Sequence, residues 1–198
     1  MIYRGLRRQL WAHVQGTTIL EVGVGTGRNL PYHPGEARLV AVDLSPRMLR
    51  RAAARARRLG SNVDLLLADA QRLPFRDGAF DVGVATFVFC SVPEPVGGLQ
   101  EINRVIHGGG RVHLLEHVRS RNPIVGKLMD WMNPIWVRLT GANINRDTVS
   151  NVTRAGLKVD SVESRSLGLM KLIHASARRA GADPPGPAAR SAAEASAC

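Results

Sequence analysis

The chain has 198 residues, 44% of them hydrophobic, which suits one domain with a full core and leaves little room for a second. No apolar run approaches the roughly 20 residues of a membrane-spanning helix and no signal peptide opens the chain; its two cysteines, Cys90 and Cys198, cannot form a disulfide framework, so a cytoplasmic protein is expected. The formal net charge of +11 and a pI near 11.2 favour anionic partners (nucleic acid, acidic lipid head groups or an acidic ligand) unless they merely reflect an arginine-rich composition.

Residues 1–15 show helical periodicity: Ile2, Leu6, Leu10 and Val14 recur every fourth position with Trp11 beside them, and Arg4, Arg7 and Arg8 lie off that stripe. A basic amphipathic helix carrying a tryptophan suits three roles, and the sequence leaves all three open. It can pack on the domain, cover a ligand site as a lid, or lie in an anionic lipid head-group layer.

Residues 17–22 read as a buried strand that breaks into Gly23, Gly25 and Gly27, with a helix expected from about Arg28. Glycines at a strand-to-helix turn accept positive φ and let a ligand approach bare backbone. The dinucleotide fingerprint needs a further glycine where Arg28 and Asn29 stand, so a hydride-transfer cofactor is not the first choice. A second strand, 38–43, ends on Asp43, where an acid can accept both ribose hydroxyls. Ser45-Pro46 reads as a helix cap followed by proline in the first turn. The helix at 47–59 carries an arginine run that suits a solvated face and stops at Gly60.

A third strand at 63–68 precedes Asp69, the loop Gln71 to Phe75 and a turn at Asp77-Gly78; a fourth spans 80–86. The segment 86–93 is apolar apart from Thr86, Cys90 and Ser91. A helix at 94–106 leads through three glycines to a strand at 111–118 that ends in Glu116-His117. Consecutive strand residues face opposite ways, so at most one of that pair enters a pocket, and His113 reads as a core histidine. The histidines and cysteines show no metal-ligand spacing, and no metal is expected.

Between that strand and the last helix lies an insertion, 119–147. Leu128, Met129, Met132, Ile135, Trp136 and Leu139 form an apolar helical face broken at Pro134, with Trp131 nearby and Arg119, Arg121, Lys127, Arg138 and Arg146 around it. That pattern fits either an apolar substrate floor or a core helix under a basic surface. A helix at 147–155 closed by Gly156 and two antiparallel strands at 157–165 and 167–175 follow. The remainder, 178–198, is Ala-, Gly-, Pro- and Ser-rich and reads as a disordered tail. The expected fold is α/β: a Rossmann-like, seven-stranded, mostly parallel sheet with an antiparallel last strand and helices on both faces, covering 16–177.

Glu21 to Gly27 reads E-x-G-x-G-x-G, and with Asp43 after strand two and Asp69-Ala70 after strand three the chain resembles the class I S-adenosylmethionine-dependent methyltransferases over about residues 17–176. The resemblance implies S-adenosylmethionine as cofactor. It places the methionine part at Gly23, Gly25 and Gly27, the ribose at Asp43, and the adenine at Asp69 and Ala70. Glu21, Asn29, Leu44, Met48 and Thr86 complete the implied cofactor set. The Asn/Asp-Pro-Pro-aromatic tetrad of nucleobase amine methyltransferases is missing from 86–93, so nucleic acid is not the expected partner.

Phe87 to Val92, Leu115 to Val118, Gly141-x-Asn143 and Asn145 to Thr148 are similar to the methyltransferase-like-7 proteins and, more loosely, to bacterial phospholipid N-methyltransferases. In that family the insertion forms the substrate wall, which implies substrate contacts from Phe87, Cys90, Trp131, Trp136 and Arg146. The implied reaction is one in-line methyl transfer to a lipid-like amine such as phosphatidylethanolamine, with Glu116 or His117 as candidate base. A small thiol or other hydrophobic acceptor is the competing reading, and a non-catalytic cofactor-binding module is the alternative of another class. A cytoplasmic protein, peripheral on the inner membrane face, fits the lipid reading; oligomeric state stays open.

Overall fold

In the computed structural model, which describes residues 2–119, 123–140, 143 and 145–178, the chain is organised around β1 (Thr18–Val22). Four of its five residues are buried, as expected for a central strand covered on both faces. It pairs in parallel with β2 (Arg38–Asp43) on one side and β4 (Phe80–Thr86) on the other. Adding β3 (Asp64–Leu67), β5 (Ile106–His117), β6 (Lys158–Arg165) and β7 (Met170–Ser176) gives a seven-stranded sheet of order β3-β2-β1-β4-β5-β7-β6. β7 runs antiparallel to both of its neighbours, and the strands from β3 to β5 are parallel. The strand order reverses between β1 and β4, the point where open α/β sheets leave a crevice at their carboxyl ends.

Alternation along the strands sorts side chains onto two faces. Leu20, Val112 and Leu114 pack with Leu99, Ile102 and Val105 of α3 (Pro95–Val105) and Val152 of α5 (Thr148–Arg154). Ile19, Val82, Val84 and Leu115 pack with α1 (Ile2–Ala12) and with Ala52 of α2 (Pro46–Leu59). Leu6, Leu10, Trp11 and Val14 are all buried, so α1 is packed on the domain through its apolar stripe. Trp11 lies against His33, their ring centroids 4.5 Å apart, and is not offered to a lipid surface. Arg7 also turns inward, leaving Arg4 and Arg8 as the exposed cations of this helix.

Three local expectations are corrected. The helix expected from Arg28 is replaced by turns and a short 3-10 segment, Leu30–Tyr32. Pro34 disfavours helical ψ in the residue before it, and His33 is extended at φ −61°, ψ 135°. β5 begins five residues earlier than expected, at Ile106, with a register shift opposite Phe80 and Val82. α4 (Pro123–Thr140) continues through Pro134 without breaking. Its exposed surface allows solvent to satisfy the carbonyl that proline leaves free. The cap reading holds for α2: the Ser45 hydroxyl accepts the Met48 N–H at 3.3 Å, and Gly60 ends the helix at φ 62°. Residues 179–198, most of the expected tail, lie outside the described residues.

Candidate functional site

At the carboxyl ends of β1, β2 and β4 lies a cavity of about 590 Å³. Of the residues singled out in the sequence, Gly23, Gly25, Asp43, Leu44, Met48, Asp69, Ala70, Thr86 and Phe87 line it. Gly25 has φ 56°, and a Cβ built on it would meet nothing within 4 Å, so its bare face opens onto free space. Gly23 differs: a Cβ there would lie 2.3 Å from Val88 Cγ2, where the loop after β4 crosses the glycine turn. Gly27 does not line the cavity; its missing side chain lets the loop pack on Ala52 of α2.

The Asp43 carboxylate accepts the Gly25 N–H through Oδ2 (2.8 Å) and the Ser45 N–H through Oδ1 (2.9 Å). Each oxygen keeps lone-pair capacity for a further donor, and the first contact ties the end of β2 to the glycine loop. Asp69 is held by Gln71, whose backbone N–H reaches Oδ1 at 2.9 Å. Leu44, largely exposed, and Ala70 put apolar surface beside these two acids.

Glu21 and Asn29 sit one layer behind the cavity wall, a correction to direct cofactor contact. Glu21 is fully buried, and Asn29 Nδ2 donates to its Oε1 (2.7 Å) while His33 Nε2 meets its Oε2 (2.8 Å). Asn29 Nδ2 also reaches Thr86 Oγ1 at 3.0 Å, and Asn29 Oδ1 accepts from Arg7 Nη1 at 2.6 Å. Arg7 lines the cavity and lies over the Phe87 ring, 5.4 Å from its centroid. α1 is therefore both packed on the sheet and part of the cavity wall. Burial lowers the Arg7 pKa, and the Glu21 carboxylate opposes that shift. Arg7, Thr26, Arg28, Gln71, Val88, Ser91, Val92 and Pro93 line the cavity without having been singled out as site residues. The four-residue spacing of Tyr3 and Arg7, beside the buried stripe of α1, was the available signal for Arg7.

The residues expected to do acid–base work do not line the cavity. Glu116 is fully buried on the α3 side of the sheet, and its Oε1 accepts the N–H groups of Val88 (2.8 Å) and Phe89 (3.1 Å). Its Oε2 is buried without a partner among the described residues, and desolvation pushes the carboxyl up to about 7. It braces the loop that follows Phe87, itself at φ 58°. His117 points to the α1 side and stacks on Phe87 at 4.5 Å between centroids; burial lowers its pKa, so the imidazole is neutral near pH 7. Cys90 is buried behind the same loop, and burial pushes its thiol up to about 12. Among the described residues the titratable groups lining the cavity are Arg7, Arg28, Asp43 and Asp69, and none of them is a base at its Phe87–Pro93 end.

The insertion is corrected too. Trp131 and Trp136 do not line the cavity; they are exposed, at 73% and 42%, on the outward face of α4. Arg146 donates from Nη2 to the Val92 carbonyl (3.1 Å), and Asn143 N–H donates to the Cys90 carbonyl (2.7 Å). These two residues fasten the cavity rim and do not enter it. Among the described residues no group of His, Cys, Asp and Glu is placed to hold a metal.

Residues 20–114 match the family model described as "Methyltransferase domain". The chain is 38% identical over 123 residues to phosphatidylethanolamine N-methyltransferase of Cereibacter sphaeroides, covering 60% of this chain and 61% of that one. It is 29% identical over 163 residues to thiol S-methyltransferase TMT1B of Homo sapiens, covering 75% and 66%. It thus spans less than two thirds of the length of each of these relatives. Among solved structures the [4+2]-cyclase SpnF superposes with a TM-score of 0.73 at 21% identity, covering 90% of this chain and 81% of that one. A geranyl diphosphate methyltransferase in complex with SAM superposes with a TM-score of 0.71 at 18% identity, covering 88% and 85%. The cofactor of this family, S-adenosylmethionine, fits the cavity on the structure's own terms: a glycine face open to free space, two acids at the strand ends and apolar surface beside them. Over residues 20–114 the chain thus matches a methyltransferase domain, and its fold is shared with a methyltransferase solved in complex with SAM.

Proposed function

We propose that the protein methylates a lipid-like amine, with phosphatidylethanolamine as the representative acceptor. The observation that carries this reading is the composition of the cavity's outer end. Phe87, Val88, Val92 and Pro93 form an apolar rim, and the Arg7 guanidinium lies over Phe87 at its edge. An acceptor with acyl chains, a phosphate and an amine presents matching groups in that order. The similarity to a phosphatidylethanolamine N-methyltransferase supports the same choice.

When bound, S-adenosylmethionine supplies an electrophilic methyl group on a sulfonium. Asp43 would receive the ribose hydroxyls on the lone pairs left by Gly25 and Ser45, Asp69 and Ala70 would flank the adenine, and Gly25 would admit the methionine backbone. The chain's largest contribution is alignment of acceptor and methyl. With no base on the rim among the described residues, the acceptor ammonium gives its proton to water through the open mouth before its lone pair attacks. Arg7 neutralises the head-group phosphate, and Arg146, expected to contact substrate, is engaged by the Val92 carbonyl.

Thiol methylation is the second reading. It is favoured by the absence of a rim base among the described residues, since a thiol ionises far more readily than an ammonium, and by the likeness to thiol S-methyltransferases. The test is mass spectrometry of products after incubating the protein with S-adenosylmethionine and either phosphatidylethanolamine in mixed micelles or an alkyl thiol. Methylated lipid is expected. Methylated thiol with unmodified lipid overturns the lipid reading. Arg7→Ala is expected to raise KM for the lipid about tenfold, the worth of one charge-assisted contact, and to spare the thiol.

A further inference from the structure

The strongest feature outside the cavity is the outward face of α4. Ile124, Leu128, Trp131 and Ile135 recur at i, i+4, i+7 and i+11, and Met132 and Trp136 widen the stripe; all six are exposed, by 38 to 79%. Six large apolar side chains on one helical face exceed the scattered exposure normal for a soluble surface. Lys127 and Arg138 are exposed along one edge of the stripe. Asp130, the helix's single acid, lies off the stripe and is engaged by Arg119 (2.8 Å) and Asn145 (3.1 Å).

We propose that this face of α4 docks the protein on an anionic phospholipid bilayer. Tryptophans at the level of the head groups, aliphatic side chains below them and cations along the border are the make-up of a helix that lies in an interface. The charge of +11 adds attraction to acidic lipid. No helix of the described residues is long and apolar enough to cross a membrane, so the stripe lies on the bilayer. Residues 179–198 contain no Leu, Ile, Val, Met, Phe, Tyr or Trp, so they bring no large apolar side chain to the stripe. An antiparallel second copy would bring Lys127 of one chain against Arg138 of the other.

The fold places this surface beside the cavity rim. Asn133 on α4 donates to Asn143 Oδ1 (3.0 Å), and Asn143 holds the Cys90 carbonyl. Asn133 faces away from the stripe, so docking through α4 sets the Phe87–Pro93 rim about one helix diameter, roughly 10 Å, behind the docked surface. The docking surface goes beyond the identity of the acceptor, because a docked enzyme could equally take a membrane-dissolved thiol.

Flotation with vesicles of phosphatidylcholine, with and without about 30% phosphatidylglycerol, tests it in the absence of turnover. Binding to the anionic vesicles is expected, with a blue shift of tryptophan emission and loss at high salt. Trp131→Gln with Ile135→Gln is expected to weaken that binding at least tenfold with circular dichroism, Tm and S-adenosylhomocysteine affinity unchanged, and Lys127→Glu with Arg138→Glu to reduce the anionic preference about tenfold. No vesicle binding, equal binding to both vesicle types, or binding unaffected by the Trp131/Ile135 pair overturns the proposal. So does a dimer by light scattering that the same pair dissociates in a protein that ignores vesicles. Product identity is not read here, so the acceptor assignment and the docking surface stand or fall separately.

Discussion

Replacing Glu116 with Gln isolates what a buried carboxyl does beneath the rim. The side chain is fully buried, accepts two loop N–H groups on Oε1 and leaves Oε2 without a partner. Burial raises its pKa from 4.5 to about 7, so the native state holds its proton more tightly than the unfolded chain does. The stability this gives is complete below about pH 4.5 and is lost as pH rises toward 7, because above that range the native state must bury a charge. Raising the carboxyl from 4.5 to about 7, at 1.36 kcal/mol per pH unit, sets the loss at roughly 3 kcal/mol. Gln keeps a carbonyl for Val88 and Phe89 and cannot ionise. Other groups titrate in both proteins, so the quantity to follow is the difference in urea unfolding free energy between wild type and Glu116→Gln. It should move against the wild type by roughly 3 kcal/mol between about pH 4.5 and about pH 8, mostly before neutrality. A difference independent of pH, or one that favours the wild type as pH rises, refutes the buried-acid account.

Two further outcomes follow from the cavity wall. Gly25→Ala should fold with a loss of about 1–2 kcal/mol, the cost of a left-handed residue, yet lose S-adenosylhomocysteine binding by calorimetry, because its Cβ projects into open cavity; Gly23→Ala should destabilise more, through its clash with Val88, and retained cofactor binding in Gly25→Ala would show that this face is not the binding face. Asp43→Ala should cost about 2–4 kcal/mol of S-adenosylhomocysteine affinity and also lower Tm, since Gly25 and Ser45 lose their acceptor; unchanged affinity would remove the ribose role.

The sheet was legible because its signals are local and redundant. β2 and β4 start and stop where their apolar runs do, and α2 announces both ends through Ser45-Pro46 and Gly60. The strand-end acids Asp43 and Asp69 were legible for the same reason: a strand end fixes where its next side chain points. What depends on packing partners was not. An amphipathic pattern gives a stripe but not the side of the molecule it faces, so the apolar face of α4 read as either a substrate floor or a core face and lies outward. In the same way α1 read as three alternatives, and only its neighbours show that it is packed and lines the cavity at once. Glu116 and His117 were rightly placed on opposite faces. Neither reaches the cavity, because the loop after Phe87 turns across Glu116 and the Phe87 ring stands between His117 and the site. That turn rests on a positive φ at a phenylalanine, which no residue-type rule would assign.

The acid that opens the glycine motif follows the same logic, and it leads to a different role for Glu21. Its carboxylate meets Asn29 and His33, and Asn29 passes the connection to Arg7 on α1. Glu21 therefore acts on the cavity through the position of Arg7. In Glu21→Gln the new NH2 group must face a donor on one side or the other. It meets either the Asn29 amide or His33, whose Nδ1 is already buried without a partner and would have to carry the proton. One unsatisfied buried donor follows in either case, at about 1–3 kcal/mol of stability. Its effect on ligand binding should run through the same contact as that of Arg7→Ala. A double-mutant cycle read by lipid KM should then show Glu21→Gln adding little once Arg7 is gone, with the interaction energy close to the whole Glu21 effect. Additive losses would mean that Glu21 reaches the site by another route, and the chain from β1 through Asn29 to α1 would be structural alone.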